Sequence, residues 1–187
     1  MSRSVIGLGL LLSLAVLPAC NKADDGNQAA NVAAGDAKGA DGSTIAAGLA
    51  QDSQFLAATK AAGLDATLAG PGPYTVLVPN NAAFAKLPAG TLDNLQKPEQ
   101  KGQLTGLLTY HILPGVVLAE DIGKAIDNAK GKAVLATMGG ETVTATKEGD
   151  KIVLTDAAGS KATVIKADEK RSNGIVHEID TVLSPAK

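Results

Sequence analysis

Tyr74-Thr75-Val76-Leu77-Val78-Pro79-Asn80-Asn81-Ala82-Ala83-Phe84 is the stretch that decides the fold. Its first five residues are β-branched, aromatic or aliphatic, which predicts a strand. Pro79 has no N–H for a ladder and ends the strand. Asn80 then stands where a helix N-cap is wanted, ahead of a short apolar-spaced segment carrying Phe84 and Leu87. Upstream, Gly70-Pro71-Gly72-Pro73 is a strong breaker that isolates the strand from what precedes it.

Helical spacing dominates on both sides of this strand. Ile45 and Leu49 open the pattern, and Phe55, Leu56, Thr59 and Ala62 continue it. Asp52 or Ser53 can cap the second of these helices, and Gly63 can end it. Downstream, Pro88 suits the first turn of a helix with Leu92 and Leu95 on one side. Pro98 opens another, with Glu99 favourably placed in its first turn and Leu104, Leu107 and Leu108 as its apolar stripe. After Pro114-Gly115 the chain turns to strands, apart from one short helix over 119–125. Strands are expected at 133–137, 141–147, 151–155, 162–165 and 175–183. Thr142, Thr144 and Thr146 alternate with Val143 and Ala145 in the manner of a half-exposed strand. Helices first and strands after give an α+β domain.

The N-terminal fifth reads differently. Arg3 precedes an almost continuous apolar run from Val5 to Leu17, followed by Leu17-Pro18-Ala19-Cys20. A transmembrane helix needs about 20 apolar residues, and this run is shorter, so residues 1–19 read as a secretory signal. Leu17-Pro18-Ala19-Cys20 resembles the bacterial lipobox, in which the chain is cut before a cysteine that then carries acyl chains. Pro18 stands where that pattern usually has a small residue. Cys20 is the only cysteine of the chain, which precludes an internal disulfide and makes lipidation its expected role. Asn21, rather than Asp, resembles the signal for outer-membrane sorting in enteric bacteria. The expected location is therefore the cell envelope, lipid-anchored, at the outer membrane or periplasmic side if the cell is Gram-negative. Residues 20–43 are small, polar or acidic apart from Val32, too poor in apolar groups to pack a core, and read as a flexible tether. As a coil it spans about 25–30 Å on average. The folded domain is expected over 44–187.

Composition narrows function. The net charge is −2 and no basic field exists, which argues against nucleic-acid binding. There is no Trp, and only two Tyr and two Phe, so the core must be built from Leu, Val, Ile and Ala. No Gly-x-Ser-x-Gly elbow is present, and the prolines of Gly70-Pro-Gly-Pro remove the N–H groups a phosphate loop needs. His111 and His177 lack paired-ligand spacing, so no metal and no cofactor is expected, and each imidazole is read as a hydrogen-bonding group tying a loop to a strand. Asn80 and Asn81 read as caps and turn closers before they read as ligand contacts. Asp156, Asp168, Glu169 and Asp180 are carboxylates whose pairing the sequence leaves open, and Asp168-Glu169-Lys170-Arg171 reads as a solvated loop.

Three segments carry a family resemblance. Tyr74-Thr-Val-Leu-Val-Pro-Asn-Asn-Ala-Ala-Phe84 resembles the first conserved box of the fasciclin, or FAS1, domain. Asn173-Gly-Ile-Val-His-Glu-Ile-Asp-Thr-Val-Leu-Ser-Pro185 resembles the second, and Tyr110-His111-Ile112-Leu113-Pro114-Gly115 resembles the Tyr-His motif between them. Glu178 replaces an apolar residue usual in the second box, and Ser184 replaces a frequent Leu. The resemblance implies a wedge-shaped β-sandwich with several packed helices, and a non-enzymatic adhesion or ligand-binding module without catalytic residues. Tyr110, His111, His177 and Asp180 become the candidate binding or structural positions, with exposed loops and the Tyr110-His111 edge as the contact surface. The expected partners are the membrane, through lipid on Cys20, and a protein or polysaccharide ligand, with the domain itself monomeric. The alternative is a structural or stress-related envelope protein that binds polysaccharide or peptidoglycan.

Overall fold

The computed structural model of the protein describes residues 42–186. The segments expected to be signal and tether, with Cys20, lie outside the described residues up to residue 41. The first fixed point of the domain is Ser43, whose carbonyl accepts from Ser172 N at 2.7 Å.

Three short helices open the domain: α1 (Ile45–Gly48), α2 (Gln54–Ala62) and α3 (Asp65–Ala69). Of the two cap candidates for α2 it is Ser53 that serves, its hydroxyl accepting from Leu56 N, and Gly63 closes the helix with a left-handed φ of 77°. Helix α3 was not expected; with five residues and only Leu68 buried it has no periodicity to read.

Strand β1 (Tyr74–Pro79) follows, then α4 (Asn81–Ala85), capped by Asn80, whose side-chain oxygen accepts from Ala83 N at 2.8 Å. Helix α5 (Thr91–Leu95) starts later than Pro88 implied: the Pro88 carbonyl accepts from Thr91 N in a turn, and Gly90 with φ 78° leads into the helix. A 3-10 turn over Pro98–Gln100 runs into α6 (Lys101–Tyr110). Strand β2 (Ile112–Pro114) follows directly. Helix α7 (Ala119–Asn128) extends beyond the expected 125 because Ile126 is buried with Ile122. Strands β3 (Ala133–Ala136), β4 (Thr142–Glu148), β5 (Lys151–Thr155), β6 (Lys161–Arg171) and β7 (Gly174–Ile179) complete the chain.

The strands join in the order β2-β1-β7-β6-β5-β4-β3. All neighbours are antiparallel except β1 and β7, which run parallel from Tyr74 opposite Gly174 to Pro79 opposite Ile179. The two boxes of the resemblance are thus adjacent central strands. Strand β6 belongs to both halves of the sheet. Its start pairs with β5 and its end with β7, with register shifts between Val164 and Lys166 and between Lys166 and Glu169. Bulges of this kind bend a strand, and here the bend folds the sheet over itself into the expected wedge. Two expectations are corrected at this point. Residues 168–171 are not a loop but the end of β6, with Asp168 at φ 59° inside the bulge, where its side chain accepts from Ala119 N at 2.8 Å. The strand expected over 175–183 stops at Ile179, because Asp180 turns the chain: its carboxylate accepts from Thr163 N at 2.8 Å and from the Thr181 hydroxyl.

Apolar layers cover both faces of β1 and β7. On one face Val76, Val78 and Val176 pack against Ile45, Phe55, Leu56, Leu104 and Leu108 of the helices. On the other, Leu77 and Ile179 pack inside the wedge with Tyr110, Ile122, Ile126, Val143 and Leu154. This double burial is why Tyr74 to Val78 reads as a continuous run rather than an alternation.

Candidate functional site

His111 ends α6 and is 1% exposed. Its Nδ1–H donates to Leu107 O at 2.8 Å, and its Nε2 accepts from Leu183 N at 3.1 Å, which fixes a neutral ring in one tautomer. Burial pushes its pKa down to about 4, against smaller opposing effects of the Leu107 hydrogen bond and the Asp156 charge. His177, fully buried on β7, has the opposite tautomer. Its Nε2–H donates to Val117 O at 2.8 Å and its Nδ1 accepts from Asp168 N at 3.2 Å. Burial lowers its pKa too. Neither ring has a nitrogen left for a metal or for proton transfer to a substrate. Each ties one segment to another, as the residue pattern implied.

Tyr110 is completely buried. Its hydroxyl donates to Thr142 O at 2.9 Å and accepts from Ala157 N at 3.1 Å, and burial raises its pKa. The expected Tyr110-His111 contact edge is therefore corrected: both side chains are interior, and no partner can reach them from outside. Asp180 is a structural turn residue. Burial pushes its carboxyl up, but the Thr163 amide, the Thr181 hydroxyl and the Lys86 ammonium together hold it below the usual carboxylate range. Asp156 accepts from Ser160 N at 2.7 Å through one oxygen and from Ser184 N at 2.8 Å through the other. The four carboxylates left open by the sequence thus meet backbone amides (Asp156, Asp168 and Asp180) and basic side chains (Glu169, and Asp180 through Lys86), rather than forming an acid–base pair.

Sequence reasoning missed Asn173. Its side-chain oxygen accepts from Ile45 N at 2.8 Å, and its amide donates to Leu68 O at 2.8 Å and Gly70 O at 2.7 Å. It ties α1, α3 and the breaker segment to the start of β7. Only its place at the head of the second box pointed to it.

The helices do not cover the whole of the sheet face they pack on. A cleft of about 350 Å³ remains between the α1–α2 connection, the end of β1 and the bulged part of β6. Leu49, Val78 and Val176 form its apolar floor. One wall is braced by Asn81, whose side-chain oxygen accepts from Gln54 N at 2.9 Å and whose amide donates to Asp52 O at 3.1 Å. On the other side stand Lys166, Glu169 and Arg171 from β6, with Glu178 from β7. Glu169 pairs with the Lys166 ammonium and lies 3.5 Å from the Arg171 guanidinium, which also donates to Gly48 O at 3.3 Å. A Cβ on Gly48 would lie 2.1 Å from Arg171 Nε, so the missing side chain at Gly48 is what lets the arginine lie across the end of α1. Glu178, the departure from the second box, opens into this cleft rather than into the core.

Residues 50–185 match the family model described as the fasciclin domain. The chain belongs to the fasciclin family. This fasciclin domain is similar to Protein sll1483 of Synechocystis, with 40% identity over 141 residues that cover 75% of the chain and 71% of that protein. It is 36% identical over 130 residues to transforming growth factor-beta-induced protein ig-h3 of Sus scrofa, covering 69% of the chain but only 17% of that longer protein. Among solved structures it resembles a FAS1 domain pair from the insect cell adhesion molecule Fasciclin I. There the TM-score is 0.51 at 26% identity, with 70% of the chain and 44% of the pair covered. The α+β FAS1 fold expected from the three segments is thus the fold of this chain.

Proposed function

We propose that the chain is a lipid-anchored FAS1 module, held at the cell envelope through Cys20 and acting in adhesion or ligand binding without catalysis. The lipobox-like Leu17-Pro18-Ala19-Cys20 and the tether-like 20–43 segment support the anchoring. The likeness to a domain pair of a cell adhesion molecule supports the adhesive role. The observation that carries the reading is the division of labour in the fold. His111 and His177 are spent on backbone hydrogen bonds at both ring nitrogens, whereas the open part of the helix-covered sheet face keeps charged side chains over an apolar floor. Ligand contact belongs to that cleft and to the loops around it, not to the Tyr-His segment.

The polysaccharide alternative receives less support. Sugar sites stack on rings, and Phe55, Phe84 and Tyr110 are buried while Tyr74 is half-buried against the helix-side core.

The anchoring is tested on the chain expressed with its own signal. A membrane-fraction protein whose mature N-terminus is an acylated Cys20 by mass spectrometry, released to the soluble fraction by Cys20→Ser, is the expected result. An unmodified Cys20 or a cut elsewhere overturns it. Turnover of any substrate that depends on His111 or His177 overturns the non-enzymatic part. Retention on purified wall polymer instead of on an envelope protein decides for the alternative.

A further inference from the structure

The lining of the cleft carries charges of both signs. Lys166 and Arg171 stand on β6, linked through Glu169. Glu178 lies opposite Lys166 in the β6–β7 register, but the Lys166 ammonium turns along its own strand to Glu169. The Glu178 carboxylate is left half-buried, with no hydrogen bond and no ion pair among the described residues, and the exposed Asp52 carboxylate on the opposite wall likewise has neither. Between these groups lies the floor of Leu49, Val78 and Val176.

A ligand of one sign meets only half of this lining. An anion would face Glu178 and Asp52, and a cation would face Lys166 and Arg171. A neutral apolar ligand would strip water from the half-buried Glu178 carboxylate without replacing it. We propose that the cleft binds a small dipolar ligand, an amino acid or the free end of a short peptide. Its carboxylate meets Lys166, its ammonium meets Glu178, and its aliphatic body lies on the floor. A cleft of about 350 Å³ has room for a ligand of one or two residues. Pre-organisation comes from Asn81, which ties the wall that carries Asp52, and from Gly48, which lets Arg171 lie flat and hold Glu169 in place. Lys166 keeps two ammonium donors beyond its bond to Glu169, and its side chain is 63% exposed, so it can turn toward a bound carboxylate. This inference rests on the ligand-binding reading above and gives its ligand a chemical class.

The test is isothermal titration of the mature full chain, in detergent, with glycyl-leucine and its blocked relatives. N-acetyl-leucine supplies the anion alone, leucine amide the cation alone, and N-acetyl-leucine amide neither. Glycyl-leucine is expected to bind at least about fivefold more tightly than any of the three, a preference that weakens as salt is raised. Lys166→Met keeps the stem and removes the charge; Glu178→Gln keeps the shape and removes the other. Each should cut the preference to below about twofold. The charge swap Lys166→Glu with Glu178→Lys should restore it, with the ligand reversed. Equal binding of the neutral compound, no binding of glycyl-leucine, or unchanged preference in both single variants overturns the inference. Retention of an envelope ligand undiminished in Glu178→Gln, beside any of those outcomes, leaves the parent reading standing and removes only this one.

Discussion

His111 Nε2 accepts the backbone amide hydrogen of Leu183. Two neighbouring amides of the same C-terminal segment are held in the same way: Ser184 N donates to Asp156 Oδ2 and Ala186 N to Glu141 Oε2, both at 2.8 Å. The last turn of the chain is therefore strapped down by side-chain acceptors, and Val182 and Leu183 are buried beneath it.

The imidazole makes this strap sensitive to acid. A protonated His111 can no longer accept from Leu183. In the fold its pKa is about 4, below the ordinary value of 6.5. The unfolded chain thus binds the proton first, and the stability His111 contributes is complete above about pH 6.5 and is lost as pH falls toward 4. A depression of this size corresponds to about 3 kcal/mol at the low end of that window. His177 shifts in the same direction and adds to the slope. Urea melts between pH 7 and 4.5 should show stability falling steadily, and Leu183 should be among the first amides to exchange. A flat profile over that window would contradict the assigned tautomers.

Asn173 should be the most sensitive polar residue in the domain. Asn173→Ala strands the Ile45 amide and the carbonyls of Leu68 and Gly70 at once. Each buried unsatisfied group costs about 1–3 kcal/mol, with relief where water can enter, so a net loss of about 2–4 kcal/mol is expected. Hydrogen exchange should place the loosening in α1 and α3 before it reaches β6 and β5. Uniform loosening across the sheet would show that Asn173 does not act as the clamp of the N-terminal helices.

What could be read from sequence, and what could not, follows the range of the interactions. Tyr74 to Phe84 was legible because strand, stop and cap are all encoded within a few residues. The backbone roles of His111 and His177 were legible as a class, because a lone imidazole among apolar residues must satisfy both nitrogens. Three features were hidden. Strand β6 carries a left-handed residue, Asp168, in its bulge, and this breaks the period-two pattern and disguises the strand as a charged loop. Tyr110 looked exposable because its two partners, Thr142 and Ala157, lie far along the chain. The cleft draws on Gly48, Asn81, Lys166 and Glu178, which only the parallel pairing of β1 with β7 and the bend in β6 bring to one place.

Gly174 should tolerate no side chain. A Cβ there would sit 2.0 Å from Tyr74 O and 2.8 Å from the end of Ile45. The first clash is with backbone, so it cannot be relieved by a rotamer change; β1 and β7 would have to separate where their parallel pairing begins. Gly174→Ala is expected to cost more than about 2 kcal/mol or to abolish folding. Gly102→Ala, at a helical position where a Cβ meets nothing within 4 Å, is the matched control and should be neutral to stabilising. A melting temperature for Gly174→Ala close to that of the control would show that the two strands can move apart cheaply.

Tyr110→Phe separates a structural role for the Tyr-His segment from a contact role. The ring stays in the wedge interior, but the Thr142 carbonyl loses its donor and the Ala157 amide loses its acceptor. A loss of about 1–3 kcal/mol is expected, because both groups are only part-buried and water can replace the hydroxyl in part. Ligand affinity of the folded variant should be unchanged, since the hydroxyl faces β4 and the segment after β5, away from the cleft lining. Comparing the melting temperature with binding measured well below it resolves the two effects. A variant of native stability that binds more weakly would return Tyr110 to the contact surface, against the burial that places it inside.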